Sequence, residues 1–324
     1  MIEIHDPKFF FELQSSIISV PYTQSEAWHD YKLSKGEVIR YFIDSRKKTS
    51  FSIWGIEKKI PFLRKKLFLI EGESYHNQFN ESQFASFFRF FKDLNYDAVL
   101  INSINSYDVE YEIGIRRSGF VRPLYSTSCP LTLIVNIQGI NKYNRNWKRN
   151  VKTAIDQKLD FIEIIDPNEI DIEVFIYMFQ EMSKLKKLKY TLYPQHLLCL
   201  TKNKHIRFFL VKKDNRPVAA RIIYQNEKNA FDVYAANSKE ARNNGASYFL
   251  MEKIFELLKI EGVEDFDFGR IPPSTKESDN VYLFKKASGG FPLQYNGEWV
   301  LYRNFFTEIL LSLYKVFITK NQRY

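Results

Sequence analysis

One lysine, Lys285, has the surroundings of a fixed cation. It follows Phe284 in the apolar and basic segment Tyr282–Ser288, where the pattern predicts a short helix that ends before Gly289 and Gly290. When an acyl group passes from an ester or thioester to an amine, negative charge collects on the carbonyl oxygen, and a preorganised ammonium stabilises it. A lysine on a solvated helix face has no such role, and these residues alone leave both interpretations open.

A second candidate is the turn Arg242-Asn-Asn-Gly245-Ala246, which leads from a predicted strand into a predicted helix. The free backbone amides at a helix start bind anions, and the positive end of the helix adds to the attraction. Acetyltransferases hold the pyrophosphate of coenzyme A on such a turn. A plain strand-to-helix connection with a tight glycine explains the same residues equally well.

The sequence contains no convincing general base. The acceptor amine must be neutral, because an ammonium has no lone pair for attack. His29, His196 and His205 are candidates by residue type alone, and a structural role explains each of them better. Asp267 ends a predicted strand, where it would either orient the site or form a turn. Positioning of the substrates and a substrate carboxylate are the alternative to a protein base.

Apolar spacing predicts the elements that position these residues. In the second half, a helix with a buried stripe precedes three antiparallel strands, and residues 213–216 predict a hairpin turn. The elements of this half are a helix at 174–185, strands at 205–212, 217–224 and 230–235, a helix at 245–260, a strand at 265–268 and a short helix that ends near Ser288.

The first third predicts a similar order of elements. Strands are predicted at 38–43, 50–56, 66–70 and 97–101, and helices around Phe84–Phe91 and at 111–117. The segment YEIGIRRSGFVRPL at 111–124 resembles YLFKKASGGFPLQ at 282–294, which indicates an internal duplication.

This order of antiparallel strands, helix, strand, helix and strand is typical of the acetyltransferase (GNAT) fold, with a mixed sheet covered by helices. The predicted fold class is therefore α/β, in the mixed α+β sense, with two tandem GNAT-like domains. The first covers residues 1–138, with the C-terminal helix at 300–324 packed on it, and the second, residues 139–299, carries Lys285. The sequence has no GxGxxG and no P-loop motif, which excludes the nucleotide folds that need them.

Composition indicates a folded protein with an anionic partner. The 324 residues fit two domains of ordinary size, and the 45% of hydrophobic residues excludes disorder as the main state. The net charge of +9 favours nucleic acid, a nucleotide-linked precursor, a coenzyme or an anionic membrane face. Much of it lies in two basic clusters, which fit either a phosphate-binding surface or solvated loops. They contain Arg46, Lys47, Lys48, Lys58, Lys59, Arg64, Lys65 and Lys66, and then Lys142, Arg145, Lys148, Arg149 and Lys152.

The remaining features predict a cytoplasmic protein without a metal site. Cys129 and Cys199 are far apart in the sequence and form no CxxC pair, so neither a disulfide framework nor a zinc site is expected. The N-terminus lacks the pattern of a signal peptide. The apolar stretch Phe305–Ile318 is too short to span a bilayer and predicts a docked helix. The alternative is a helix that lies on the inner membrane leaflet.

Four stretches in order resemble the FemABX aminoacyltransferase family, in its short form without a coiled-coil arm. Residues 23–32, TQSEAWHDYK, resemble the family's TQ-x3-W-x3-K segment, and residues 146–160 resemble the basic helix that opens its second domain. Residues 230–246 are similar to its strand and loop with a Tyr-Ala pair. Residues 265–298 resemble its DxG, FK and YxGE motifs. The resemblance spans most of the chain.

The resemblance implies roles for individual residues. Lys285 would stabilise the oxyanion or the ribose oxygen freed from the aminoacyl ester, and Phe284 would shape the wall beside it. Lys32, next to Trp28 in the same motif, would meet a phosphate of the peptidoglycan precursor, and Tyr234 would line the acceptor cleft.

The sequence departs from the family at the second phosphate-binding position. The family's arginine should fall near Lys189-Tyr190-Thr191, where this chain has no arginine. Lys189 or Lys187 would replace it, although one ammonium cannot reproduce a bidentate guanidinium. This difference leaves the identity of the precursor open.

The leading functional hypothesis is transfer of an aminoacyl group from aminoacyl-tRNA to an amine of a UDP-linked or lipid-linked muropeptide, without a cofactor. The second is an N-acyltransferase that takes its acyl group from coenzyme A through Arg242, Gly245 and Ala246 and acts on an amino sugar or a lipid or polysaccharide precursor. The third is a duplicated, non-catalytic scaffold that binds a polyanion or a membrane, peripheral to the inner leaflet.

Overall fold

The computed structural model describes residues 1–18, 20–60, 65–76, 79–124, 126, 128–139, 143–186, 190–271 and 280–320. The chain divides into two compact units. The first comprises Met1–Leu131 and Leu293–Tyr324, and the second comprises Thr132–Ile271 and Thr275–Pro292.

These bounds differ from the predicted division at residues 138 and 299. The strand that starts at Leu131 pairs with the strand Asp265–Arg270, which belongs to the second unit. The strand that ends at Tyr302 pairs from Tyr295 onward with Ala98–Ser106 of the first unit. The bounds of each unit therefore follow from which strands are hydrogen-bonded to one another. The sequence pattern does not show which strands pair.

The elements follow one another in a mixed order of strands and helices. Up to residue 117 they are β1 (Ile2–Ile4), α1 (Pro7–Gln14), α2 (Glu26–Ser34), β2 (Val38–Ile43), β3 (Phe51–Ile60), β4 (Lys65–Ile70), β5 (Ser74–Tyr75), α3 (Glu81–Arg89), β6 (Ala98–Ser106) and α4 (Val109–Arg117). The next are β7 (Leu131–Asn136), α5 (Arg145–Asp156), β8 (Asp160–Ile164), α6 (Glu169–Lys186), α7 (Pro194–Thr201), β9 (Ile206–Lys213), β10 (Arg216–Gln225) and β11 (Asn229–Asn237). The last are α8 (Ala246–Ile260), β12 (Asp265–Arg270), α9 (Asn280–Ala287), β13 (Phe291–Tyr302) and α10 (Phe305–Lys320).

Local sequence explains where several of these elements begin. Asn80 caps α3, and its side chain and that of Gln83 form a reciprocal capping box. Asp214 and Asn215 adopt positive φ angles of 48° and 62° between β9 and β10, which is the geometry of a tight hairpin turn. The hairpin predicted at residues 213–216 is confirmed.

The sheet of the first unit has the order β1-β2-β3-β4-β6-β13, with β5 beside β3. The pair β4–β6 is parallel and its register ends where Ile70 faces Ile101, whereas the other pairs are antiparallel. Aromatic rings fill the core on one face of this sheet. Phe84 and Phe88 of α3 are fully buried there, as the stripe in the sequence predicts.

The second unit repeats this arrangement. Its sheet has the order β7-β12-β11-β10-β9-β8. The pair β11–β12 is parallel and its register ends where Phe231 faces Asp267, and the other pairs are antiparallel. Helix α8 covers one face through Met251, Ile254 and Leu258, all buried. The mixed α/β class with two units of similar strand order is thus confirmed.

The C-terminal helix completes the fold. Helix α10 packs on the first unit, where Leu311 contacts the apolar cluster of Leu67, Ala98 and Val300. Among the described helices, none combines the length and the hydropathy that a membrane crossing requires.

The close packing of α4 on α3 yields a test of the fold. A Cβ at Gly114 would lie 2.4 Å from Cβ of Phe84 and 2.6 Å from the carbonyl oxygen of Glu81. Alanine normally favours a helix over glycine by about 1 kcal/mol. Here the steric clash outweighs that gain in helix preference. We expect Gly114→Ala to lower the free energy of unfolding by about 1 to 3 kcal/mol in urea titrations.

Ser86→Ala on the exposed face of α3 is the control for Gly114→Ala, and it should leave the urea midpoint within error. A Gly114→Ala protein as stable as the parent would show that α3 and α4 do not pack at this distance.

Candidate active site

Lys285 lies on α9 in the second unit, and its ammonium is enclosed at the end of β12. The residue is 8% exposed, and Nζ donates to the carbonyl oxygens of Phe268, Gly269 and Arg270 at 2.8, 3.2 and 3.0 Å. Gly269 has a φ angle of 69°, a conformation that favours glycine, at the point where these carbonyls converge. Each of the three ammonium hydrogens therefore has an acceptor. Lys285 is a fixed, buried cation.

Burial lowers the pKa of the Lys285 ammonium to about 8, because the charged form loses its water. The carboxylates of Asp232 and Asp267 act in the opposite direction, and the guanidinium of Arg221 adds to the lowering. At neutral pH the side chain is still mainly protonated. Its charge therefore responds to changes in pH nearer neutrality than the charge of an exposed lysine does.

A buried ion pair lies on the neighbouring strands. Arg221 of β10 binds Asp232 of β11, and their side chains are only 7% and 8% exposed. Within the described residues, Nε of Arg221 and Oδ1 of Asp232 have no hydrogen-bond partner. The register of β10 and β11 shifts between Ile222 and Ile223, next to this pair. Together with Lys285 and Asp267, the pair forms a cluster of two positive and two negative charges.

Phe284 connects this charged cluster to the aromatic core. Its ring lies 5.5 Å from that of Trp147, 4.9 Å from Tyr248 and 6.2 Å from Phe268. The guanidinium carbon of Arg221 lies 5.5 Å from its centroid. The ring is thus held from several sides, and it fixes the helix that carries Lys285.

Asp267 has a defined place beside the lysine clamp. Its Oδ1 accepts from Thr132 Oγ1 at 2.6 Å and from the amide of Gly269 at 2.7 Å. Thr132 Oγ1 also lies 2.7 Å from the carbonyl oxygen of Gly269, one of the three acceptors of Lys285. Because a hydroxyl has one hydrogen, Thr132 donates either to Asp267 or to Gly269 at a given moment.

The structure places the predicted anion-binding turn against another helix. A Cβ at Gly245, which has a φ angle of 72°, would lie 2.1 Å from the carbonyl oxygen of Asn150 on α5. The amide of Ala246 already donates to the Asn244 side chain at 3.1 Å, and Arg242 is exposed. The contact with α5 therefore accounts for the glycine without a phosphate.

Tyr234 lies half-buried on β11 and faces Ile222 of β10. It follows Asp232, one member of the buried ion pair, by two residues on the same strand, and the register shift lies between them. Lys189 and Lys187, the predicted replacements for the family's arginine, lie outside the described residues.

Lys32 and Trp28 meet on α2 in the first unit, and a carboxylate already holds both. Nζ of Lys32 binds Oε1 of Glu71 at 2.7 Å, and the indole Nε1 of Trp28 donates to Oε2 at 2.6 Å. The Lys32 ammonium also lies 4.7 Å from the Trp28 ring centroid. Any phosphate that binds Lys32 must displace or rearrange Glu71.

The histidines have structural surroundings. His29 is buried between the Asp30 carboxylate at 2.8 Å and the Tyr41 hydroxyl at 2.6 Å. His205 contacts the Gln225 carbonyl oxygen at 3.1 Å, and His196 packs edge-on against Tyr193. In the described part of the chain, no group of three His, Cys, Asp or Glu side chains could hold a metal ion.

Sequence reasoning missed Arg221, Asp232, Thr132 and Glu71. The signal for the first two was present, because each is a charged residue inside an apolar strand segment, AARIIY and AFDVYA. A charge in such a segment is buried and needs a partner. Thr132 and Glu71 gave no such signal, since polar or charged residues at or next to a strand end are ordinary.

The fold resembles that of several solved structures. The superposition with FemX includes 96% of this chain and 100% of the FemX chain, with a TM-score of 0.79 and 13% sequence identity. L-PGS from Bacillus licheniformis covers 95% of this chain over 96% of its own, with a TM-score of 0.63 and 14% identity. A tandem GNAT protein from the clavulanic acid biosynthesis pathway covers 94% over 98% of its own, with a TM-score of 0.53 and 8% identity.

A search of family models gave no match, and neither did a search of curated protein sequences. At these identities the structural likeness establishes the fold. The prediction of two tandem GNAT-like domains, and the resemblance to FemABX proteins in fold, are confirmed.

The buried ion pair gives a test of the charged cluster. Asp232→Asn would leave the Arg221 guanidinium buried without its counter-charge, and we expect a loss of about 3 to 5 kcal/mol in the free energy of unfolding. Chemical denaturation measures it. The matched control is Lys228→Ala, which removes an exposed pair with Glu264 and should not change the midpoint. Equal effects of the two variants would contradict the buried position of Asp232.

Proposed function

We propose that the chain is an acyltransferase that moves an aminoacyl group from aminoacyl-tRNA to an amine of a peptidoglycan precursor. The observation that carries this proposal is the Lys285 ammonium, buried and held by three carbonyl oxygens at the end of β12. An ammonium held in place in this way can stabilise an acyl oxyanion. The likeness in fold to FemX and L-PGS supports the same class of chemistry.

For Lys285 to bind the substrate oxygen, one of its three N–H groups must give up its hydrogen bond to a backbone carbonyl oxygen. The bond to Gly269 is the longest of the three at 3.2 Å, and Gly269 has a second donor in Thr132. In the proposed step, Thr132 turns its hydrogen from Asp267 to Gly269. Lys285 then exchanges this bond for the carbonyl oxygen of the donor ester, while Phe268 and Arg270 keep the ammonium in place.

The chemistry is a simple addition and elimination. The neutral amine nitrogen attacks the ester carbonyl carbon, and the electrons of the C=O bond move to the oxygen beside Lys285. The C–O bond to the ribose then breaks, and the proton of the attacking nitrogen passes to the departing ribose oxygen. In this proposal the chain supplies positioning and charge stabilisation, and the substrates carry the proton.

The competing donor, acyl-coenzyme A, has less support. A pyrophosphate on the α8 turn needs close approach to bare backbone, and α5 lies against Gly245 at that turn. On the acceptor side, Lys32 with Trp28 and Tyr234 are proposed to contact the precursor. Lys189 is proposed as a second phosphate contact. The basic segments of the chain suit two polyanionic substrates.

A donor experiment separates the candidate functions. We expect aminoacyl-tRNA to raise the Tm of the protein in a concentration-dependent way and acetyl-coenzyme A to leave it unchanged. Radiolabelled aminoacyl-tRNA should then label a UDP-linked muropeptide. A rise with acetyl-coenzyme A and turnover of it would establish the second candidate. Binding of any polyanion without turnover of either donor would establish a non-catalytic scaffold.

Lys285 predicts a particular pH dependence of activity. Its ammonium loses the proton as pH rises through about 8, so kcat/KM should fall above that pH. Lys285→Arg keeps the charge, and we expect its falling limb to move to higher pH. Lys285→Met should lower kcat by about 100-fold to 1000-fold with an unchanged circular dichroism spectrum. Activity of Lys285→Met close to that of the parent would remove the lysine from the mechanism.

Thr132 is predicted to be a positioning residue for Lys285. Thr132→Val removes the alternative donor to Gly269, so Lys285 should stay bound there, and kcat should fall about 10-fold with KM unchanged. Thr132→Ser keeps the hydroxyl and should restore most of the rate. Steady-state kinetics of the two variants provide the test, and equal rates for valine and serine would contradict the exchange.

A further inference from the structure

Helix α5 of the second unit carries a row of positive charge on its solvent side. Arg145, Lys148, Arg149 and Lys152 are all exposed. At 100° and 1.5 Å per residue, the four fall within an arc of about 100° and extend along about 10 Å of the helix. In the part of the chain that the structure describes, no carboxylate forms a salt bridge with any of them. These four residues, called here the α5 stripe, therefore present concentrated positive charge to the solvent.

The α5 stripe lies where the helix itself disfavours positive charge. Arg145 is the first residue of α5, and Lys148 and Arg149 follow within the next turn, whereas the first turn contains no acidic residue. The unpaired N–H groups at the start of a helix give that end a partial positive charge, so cations there are unfavourable. A local choice that opposes the stability of the helix indicates a functional role. A bound anion would compensate both the side chains and the helix start.

The opposite half of α5 is apolar and buried. Trp147, Val151 and Ala154 belong to the core cluster that also contains the buried residues of α8. A helix that lies on a lipid surface turns its apolar half toward the lipid. Because α5 turns its charged half outward instead, it suits a hydrated polyanion such as the phosphate backbone of a nucleic acid.

The α5 stripe adjoins the helix that carries Lys285. The amide of Asn144, which caps α5, donates to the carbonyl oxygen of Ala287 at the end of α9 at 3.1 Å. The Trp147 ring of α5 lies 5.5 Å from the ring of Phe284, the neighbour of Lys285 in the sequence. A polyanion held on the stripe would thus lie beside the helix that positions the cation of the proposed reaction.

We propose that the α5 stripe binds phosphates of the RNA that carries the aminoacyl donor. This inference rests on the proposed function, because it assigns a binding surface to the donor of that reaction. Each phosphate that a lysine or arginine neutralises releases counterions and strengthens binding. Phosphate contacts carry no base information, so tRNAs of different sequence should bind alike.

The experiment is a titration of the full chain with deacylated tRNA, followed by fluorescence anisotropy at several salt concentrations. We expect Lys148→Ala/Lys152→Ala to weaken the affinity at least about 10-fold at 0.1 M salt. The slope of log K against log salt should fall by about 1.5 to 2, because two phosphate contacts are lost. Lys148→Arg/Lys152→Arg keeps both charges and should bind as the parent does. The Tm of the alanine variant should not fall, because both side chains are exposed and alanine favours a helix.

The matched control is Lys202→Ala/Lys204→Ala, which removes two exposed lysines that follow α7 in the same unit. Helix α7 packs beside α6, and α6 contacts Phe208 of β9, whereas Phe209 faces the cluster of α5 and α8. Successive residues of a strand point to opposite faces, so α6 and α7 cover the other side of the sheet. The control changes the net charge by the same amount and should leave the affinity for tRNA within error.

Equal losses of affinity in the control and in Lys148→Ala/Lys152→Ala would overturn the inference, and so would an alanine variant that binds tRNA like the parent. In either case, transfer from aminoacyl-tRNA by the parent would leave the proposed function standing. A parent that neither binds tRNA nor transfers an aminoacyl group would contradict both. Binding to vesicles of equimolar phosphatidylcholine and phosphatidylglycerol through Lys148 and Lys152, without affinity for tRNA, would also overturn the inference.

Discussion

The structure of the second unit near β12 depends on how the protein compensates the free-energy cost of burying the Lys285 ammonium. Lys285 loses nearly all of its water, and this loss is offset by three carbonyl oxygens at the end of β12 and by the carboxylates of Asp232 and Asp267. The positive φ of Gly269 lets the carbonyls converge. Phe284 and its aromatic neighbours hold the helix that delivers the lysine. Loss of the carbonyl acceptors or of the two carboxylates would raise the free-energy cost of keeping this ammonium buried.

The two halves of the chain show how a duplicated fold can divide its roles. Alignment of the similar segments places Tyr111 with Tyr282, and therefore Gly114 with Lys285. Each residue lies on the helix that follows the second strand of the parallel pair, α4 in the first unit and α9 in the second. Gly114 allows α4 to pack directly on α3, whereas Lys285 places its ammonium at the end of β12. The same position thus serves packing in one unit and charge in the other.

The sequence predicted the positions of helices and strands better than the contacts between them. Periodicity located most strands and helices within a few residues, because apolar spacing reports directly which face is buried. Short strands such as β1 and β5 gave no such pattern. Several contacts join residues that are distant in sequence. They are the bond between Lys32 and Glu71, the contact of Asn150 with Gly245 and the bond of Thr132 to Gly269. No local pattern encodes those pairings.

NMR of the lysine side chains can measure whether Lys285 is a buried ammonium with a lowered pKa. Protein labelled with 13C at the lysine ε carbon, with the signal assigned by comparison with Lys285→Arg, should show one resonance that titrates near pH 8. A Lys285 signal without a transition near pH 8, as for an exposed lysine, would place its ammonium in water and rule out the buried cation.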